Sequence, residues 1–406
     1  MKILACVPLI PFPAADGLRV RIFNLYRELA RNGHEVHFFC LSRMSPSPEQ
    51  ETGLGDAGFG MTVALKPMRT HEQKVAAYTK LLVRGIPAEF MLSWEDVIFR
   101  ELAALRSRQH FDVVIAEHLF MARYILGLDF PKVLQEHNIE SELMMSMARR
   151  QKLPGRWTKQ LSAKLVGRYE RKLMRRMQGV IAVTRKDADT ISRIVPGVRA
   201  SVVENGVGSA DYAETAAVHG EPGGALMFVG LLSYPANIEA VEWFVGKVLP
   251  SVREKYQDTT LTVIGSDPVR RVLDLDDGAT VRVTGFVDDV RPYYRQSSIQ
   301  VVPLLVGGGS RLKILESFAA GTPVVSTTKG AEGLEVEDGR HLLIADTPGE
   351  FAAAVIRLRE DAGLYHRLRE NALALAREKY DWPVLARKFE AALAEAAGKN
   401  EAGGKG

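Results

Sequence analysis

Short apolar runs alternate with stretches of helical period along almost the whole chain. Residues 2–7 are a near-continuous apolar run, and a proline-rich loop leads from there to Asp16-Gly17. Over residues 18–32 the spacing turns helical. Val20, Phe23, Leu25, Leu29 and Ala30 fall on one side, and Arg19, Arg27 and Arg31 fall elsewhere. Gly33 closes this helix, and residues 35–40 form the next apolar run. Strand, helix, strand predicts a βαβ unit and hence a parallel sheet. The polar, glycine-rich residues 45–60 predict a loop. A short strand over 61–65 and helices over 72–83 and 94–106 follow. Residues 111–118 and 132–138 predict strands with polar residues at their carboxyl ends, where open α/β sheets bind ligands. Residues 144–177 read as helical, 179–184 as a strand, 185–194 as a helix and 201–207 as the last segment of the first half.

Residues 208–224 are small and polar with no sustained period, and predict a linker. The alternation then restarts. Strands are predicted over 225–230, 260–265, 280–286, 299–306, 323–327 and 341–344. Helices are predicted over 237–256 (with Pro250 inside), 290–296, 350–359, 362–379 and 384–396. The expected architecture is α/β, with two Rossmann-like, doubly wound domains facing across a cleft. The boundaries are 1–207 for an N-terminal domain, 208–224 for the linker and 225–380 for a C-terminal domain. Residues 381–397 form a last helix returning to the N-terminal domain, and 398–406 a disordered tail.

Composition agrees with two soluble domains: 406 residues, 46% hydrophobic and 25% charged, with a net charge of +4. Cys6 and Cys40 sit in apolar runs and read as buried small side chains, not as a disulfide framework. Prolines 8, 11 and 13 interrupt the first apolar run, which argues for a strand and against a secretion signal. No run of about 18 apolar residues predicts a membrane span, so a cytoplasmic location is expected. Charge is uneven, however. From Arg149 to Arg176 the only acid is Glu170, and Trp157, Leu161, Leu165 and Val166 supply an apolar side. This stretch fits either an anionic membrane surface or a solvated helix face. Nucleic acid is not expected, because no aromatic interleaving or recognition motif accompanies the charge.

The sharpest candidate chemistry lies at Gly307-Gly308-Gly309-Ser310-Arg311-Leu312-Lys313-Ile314-Leu315-Glu316. An apolar strand precedes it and a helix follows, stopped by Gly321. Glycines between a strand and a helix offer backbone N–H groups and the positive end of a helix to a phosphate. Arg311 and Lys313 add charge, and Glu316 is placed to accept from sugar hydroxyls. The bland alternative is an ordinary strand-to-helix turn with Ser310 as the helix cap. The run Asp274-Leu275-Asp276-Asp277 lies in a polar loop and reads as a turn, not a metal site.

Taken in order, several stretches resemble family 4 retaining glycosyltransferases, which have the GT-B fold. They are Asp16-Gly17-Leu18-Arg19-Val20-Arg21, Asn32-Gly33-His34-Glu35-Val36, Val203-Glu204-Asn205-Gly206-Val207, Phe228-Val229-Gly230, Gly285-Phe286-Val287 and Glu316-Ser317-Phe318-Ala319-Ala320-Gly321-Thr322-Pro323-Val324-Val325. The resemblance covers nearly the whole chain. It implies transfer of a sugar from a nucleotide diphosphate donor to a glycan, lipid-linked or other glycoconjugate acceptor, with retained configuration and no metal or cofactor. The resemblance puts Glu117 or His118 at the catalytic centre, orienting donor sugar or acceptor. It puts Gly17 and residues 307–311 with Lys313 at the diphosphate, Glu316 at the ribose, and Phe286 and Val287 at the base. Arg21, His137 and Asn138 fall on the acceptor side. Two departures stand out. Gly308 occupies the position of the family's first motif carboxylate. Leu231 to Asn237 replace the Arg and Lys that usually follow Gly230, and Arg311 and Lys313 are the candidate substitutes. A polysaccharide-building enzyme at the inner membrane face is the leading expectation. A nucleotide-sugar epimerase of the same fold and a non-catalytic nucleotide-sugar or membrane-binding partner stay open. Base, sugar and acceptor are not legible.

Overall fold

The computed structural model describes residues 1–14, 16–65, 72, 87, 95–149, 155–218, 221–307 and 311–398. The predicted helix beyond Glu72 and the tail after residue 398 lie outside the described residues. The chain divides into two compact units. One comprises Met1–Glu204 with Leu385–Gly406, and the other Asn205–Val384.

The first unit is built on strands β1 (Lys2–Val7), β2 (Glu35–Ser42), β3 (Gly60–Leu65), β4 (Val113–Glu117), β5 (Lys132–Glu136), β6 (Gly179–Ala182) and β7 (Ala200–Val202). They pair in the order β3-β2-β1-β4-β5-β6-β7, every pair parallel. All five residues of β4 are buried, as expected of a strand covered on both faces. Its helices are α1 (Gly17–Arg31), α2 (Pro48–Asp56), α3 (Glu95–Arg108), α4 (Leu119–Ile125), α5 (Glu140–Arg149), α6 (Gly155–Met174) and α7 (Arg185–Ile194). Helix α2 corrects the loop predicted over 45–60. Its start is written in local chemistry: Ser47 and Gln50 form a capping box with Pro48 at the first turn. Only Leu54 of the helix is buried, so there is no apolar period to read. The basic stretch forms α5 and α6, with residues 150–154 outside the described residues.

The second unit carries β8 (Ala225–Val229), β9 (Thr260–Ile264), β10 (Val281–Gly285), β11 (Ile299–Val302), β12 (Val324–Ser326) and β13 (Leu343–Ile344), in the order β10-β9-β8-β11-β12-β13 and again all parallel. Its helices are α8 (Ala213–Ala217), α9 (Pro235–Trp243), α10 (Leu249–Lys255), α11 (Arg270–Leu273), α12 (Arg291–Gln296), α13 (Leu312–Ala320), α14 (Thr328–Ala331), α15 (Pro348–Glu360) and α16 (Ala362–Lys379). The last helix, α17 (Trp382–Ala396), starts in this unit and from Leu385 onward belongs to the first.

Two expectations need correction here. Residues 208–224 are not a free linker. Ser209–Tyr212 form a 3-10 turn that leads into α8; Tyr212 joins the second unit's core and Ala216 is buried. Asp381 accepts from the Ser209 amide at 3.0 Å, and Arg369 donates to the Ala216 carbonyl at 2.5 Å. Small residues packed by tertiary contacts leave no period in the sequence. The single helix predicted over 237–256 is broken into α9, a π turn at Phe244–Val248 and α10. Pro250 lies in the first turn of α10, where its missing N–H breaks no helical hydrogen bond. The aspartate-rich run is a turn. Asp277 accepts from the amides of Ala279, Thr280 and Val281, and Asp276 from those of Gly278 and Val283.

Candidate active site

In the second sheet the strand order reverses between β8 and β11. Loops leaving such neighbours diverge and open a crevice at the carboxyl ends of the strands. Three glycines shape it. Gly230 follows β8, and a Cβ there would lie 2.9 Å from Lys313 Nζ and 2.8 Å from Asn237 Nδ2. Glycine thus lets both side chains close over the strand end. Gly265 follows β9, and a Cβ there would lie 1.7 Å from the Gly230 carbonyl oxygen. Gly307 has φ 115°, a region open to glycine and strained for other residues.

Lys313 stands in the first turn of α13. Its ammonium donates to Asn237 Oδ1 at 3.1 Å and lies 4.2 Å from the centre of the Phe228 ring. Asn237 is held in turn by donating to the Leu231 carbonyl at 2.8 Å. Burial pushes Lys313 down to about 7, the charge of Arg311 adds to this, and Glu316 opposes it. A half-charged amine beside a strand end is a group that an arriving anion would fully protonate. Glu316 lies three residues further, on the same helix face. Burial raises its pKa, and the Tyr294 hydroxyl donates to its Oε2 over a long 3.5 Å. No side-chain cap is seen on α13 among the described residues.

Arg311 departs from expectation. It is buried, and its guanidinium donates to the carbonyls of Gly330 (3.1 Å), Lys329 (3.0 Å) and Gly307 (3.3 Å). Those bonds make it a brace that fixes the loop before α13. Gly308, Gly309 and Ser310 lie outside the described residues. Phe286 follows β10 and is 71% exposed, whereas Val287 packs on the core.

The first unit holds a different arrangement. Glu117 ends β4 and is 1% exposed. Tyr26 of α1 donates to its Oε1 at 2.6 Å, and His137 Nε2 lies 3.3 Å from its Oε2. Gln135 of β5 finds partners when its nitrogen faces Glu117 Oε1 (3.2 Å) and its oxygen faces the Arg21 guanidinium. Arg21 also donates to the carbonyls of Val203 (2.8 Å) and Glu204 (2.5 Å). Burial lowers Arg21 to about 10, which leaves it charged at neutral pH. Glu117 and Arg21 therefore lie buried together in the first unit, joined through Gln135. Gly17 opens α1, where Asp16 accepts from the amides of Leu18 and Arg19 and pairs with the Arg19 side chain.

His118 is different. Its φ is 119°, strained for a residue with a side chain. Its ring stacks on Phe120 at 4.5 Å between centroids, and Nε2 lies 3.3 Å from Glu140 Oε1. His137 is held neutral by burial, with its ring centre 6.2 Å from that of His118. Asn138 follows at a half-buried bend. Beneath them lies an acid pair that sequence reasoning missed. Glu136 is buried, and burial with the nearby Glu170 raises its pKa well above the carboxylate range. Burial raises Glu170 to about 7, and it accepts from the Glu140 amide (2.9 Å) and the Ser141 hydroxyl (2.5 Å), tying α6 to α5. The signal was present, since Glu170 is the lone acid in the basic stretch. For Tyr26, Asn237 and Tyr294 there was none beyond polarity inside a helix.

Two parallel-sheet units, the second with a lysine and a carboxylate at its switch point, define a glycosyltransferase of the GT-B fold. Residues 15–210 match the model described as Glycosyltransferase Family 4, and residues 223–361 that of Glycosyl transferases group 1. The chain belongs to glycosyltransferase family 4. It is 26% identical over 413 residues to a phosphatidyl-myo-inositol mannosyltransferase of Propionibacterium freudenreichii subsp. shermanii, covering 97% of this chain and 95% of that one. It is 29% identical over 164 residues to an uncharacterized 44.6 kDa protein in the cps region of Klebsiella pneumoniae, a match spanning 38% of this chain and 42% of that protein. Among solved structures, Anabaena HepE in complex with UDP superposes with a TM-score of 0.67 at 15% identity, covering 97% of this chain and 100% of that chain.

Proposed function

We propose that the protein transfers a sugar from a nucleoside diphosphate donor to a glycan or lipid-linked acceptor in surface polysaccharide or glycolipid synthesis. The observation that carries this reading is the cluster of Lys313, Asn237 and Gly230 at the second sheet's switch point, with Glu316 one helical turn on. In it, Lys313 and the α13 N-terminus stabilise the charge that develops on the leaving diphosphate, and Glu316 accepts from the ribose hydroxyls. Phe286 and Val287 flank the base. Transfer proceeds with retention and needs no metal, since these groups supply the positive charge, and His118 orients the reacting sugar or the acceptor. UDP in the Anabaena relative and a lipid-linked inositol in the name of the Propionibacterium relative support a UDP-type donor and a membrane-borne acceptor. No described helix is long and apolar enough to cross a membrane. The proposed location is the cytoplasmic membrane face, with α5 and α6 toward anionic lipid.

The test is turnover of UDP-, GDP- and ADP-sugars by purified protein with a membrane extract as acceptor, the product's anomeric configuration being read by NMR. Transfer from one donor with retention is expected. Tight donor binding with no turnover from any donor would sink the reading in favour of a second one, a nucleotide-sugar-binding partner. Glycine at position 308, where the family has a carboxylate, is the observation that favours this rival.

A further inference from the structure

Helices α5 and α6 enclose a groove of about 700 Å³ in the first unit. Arg149, Lys164, Arg168 and Arg171 line it against one acid, Glu142, with Met145 in its wall. None of the four cations has an ion-pair partner among the described residues. Gly167 lets the helices meet closely there, since a Cβ would lie 3.1 Å from Ser141 Cβ. Glu170, bonded to Ser141 and the Glu140 amide, holds the pair together beneath the groove. Along α6, Trp157, Leu161 and Leu165 are 70%, 61% and 45% exposed. Their spacing puts them on one helix face, and Lys164 and Arg168 fall beside that face. A concave cluster of cations next to an exposed apolar stripe matches a molecule with an anionic head and a hydrocarbon tail.

We propose that this groove is a discrete binding site for the phosphate-bearing headgroup of a lipid acceptor, with the apolar stripe lying against its hydrocarbon. The inference names the acceptor class for the transfer proposed above and rests on that reading. It differs from diffuse attraction to a charged membrane, because only the cations that line the groove should matter.

Binding of a short-chain phosphatidic acid, kept below its micelle concentration, tests this with no donor present. Failure here is therefore distinguishable from failure of donor turnover. The groove variant Lys164→Gln/Arg168→Gln is compared with Lys159→Gln/Lys172→Gln, which removes two exposed cations of the same helix outside the groove. The groove pair should weaken saturable binding by about 30-fold, taking roughly fivefold per cation. The control pair should leave it within twofold, and circular dichroism should report both folded. Inorganic phosphate should compete only weakly, and Leu161→Ser should weaken the lipid and not phosphate. Equal losses in the two pairs would overturn the proposal in favour of a diffuse surface. Inorganic phosphate binding as tightly as the lipid would overturn it in favour of a soluble anion.

Discussion

Lys313 carries the strongest consequence of the proposed donor site. Its ammonium is buried beside Asn237 and the Phe228 ring and titrates at about 7. At pH 8 only about a tenth of it is charged. A diphosphate within contact distance changes that. One unit charge at about 4 Å, at an effective dielectric constant of about 20, gives about 4 kcal/mol, or roughly three pK units. The bound amine then titrates near 10, so binding takes up about 0.9 proton at pH 8 and about 0.1 at pH 6. Affinity falls about tenfold per pH unit between roughly pH 7 and pH 10, because each unit adds the cost of protonating the amine. Calorimetry of the nucleoside diphosphate in buffers of different ionisation enthalpy reads the uptake directly. The slope of observed enthalpy against buffer enthalpy should be near one at pH 8 and near zero at pH 6. Lys313→Arg, permanently charged, should bind without uptake at either pH. A slope near zero for the native protein at pH 8, or an unchanged slope in Lys313→Arg, would refute the reasoning.

Three further outcomes follow from buried groups. Arg21→Met takes the positive charge away from the buried Glu117 carboxylate and a donor from two carbonyls, and chemical denaturation should show a loss of about 3–5 kcal/mol, partly restored by adding Glu117→Gln. Gly265→Ala puts a methyl into the Gly230 carbonyl oxygen, so the ends of β8 and β9 must part. Nucleotide affinity should drop at least tenfold and the melting temperature should fall. Glu170, raised to about 7 chiefly by burial, holds its proton more tightly folded than unfolded. Its contribution is present below about pH 4.5 and is lost as pH rises to about 7. Glu170→Gln should therefore gain on the native protein across that window, by about 1–3 kcal/mol at its top, and a pH-independent difference would contradict this.

Much of the fold was readable because buried parallel strands leave unmistakable runs. The stretch 299–306 and the run before His118 became β11 and β4 with every residue of each strand buried. What was not readable came from interactions that leave no period. Helix α2 rests on a capping box, and residues 209–217 rest on contacts from Arg369 and Asp381. Within the site, Lys313 and Glu316 could be placed from their spacing on a helix that begins after glycines. Arg311 could not, because a cation in a phosphate-like loop and a cation bracing that loop through carbonyls have the same sequence. Asn237 was hidden as well, since its role depends on Gly230 and Lys313 meeting it from two other elements.

The same ambiguity separates the two carboxylates, Glu117 and Glu316. Glu117 ends β4 and Glu316 stands on α13, and both read as ligand-facing. Their surroundings set them apart. Glu117 is fully enclosed, with Tyr26, His137, Gln135 and the charge of Arg21 around it. A carboxylate so surrounded is closed off from solvent, and neutralising it disturbs the packing of α1 against the sheet. Glu316 is half-buried with one long hydroxyl contact among the described residues, so its oxygens keep their capacity to accept. The isosteric change to glutamine should therefore split cleanly. Glu316→Gln should lose about 1.5–3 kcal/mol of nucleotide affinity, roughly 10- to 150-fold in Kd, while its melting temperature holds or rises as a half-buried charge is removed. Glu117→Gln should lower the melting temperature and leave nucleotide affinity in place. Thermal melts with and without the nucleotide measure both quantities on each variant. The reverse pattern would return Glu117 to the reaction and reduce Glu316 to a structural residue of α13.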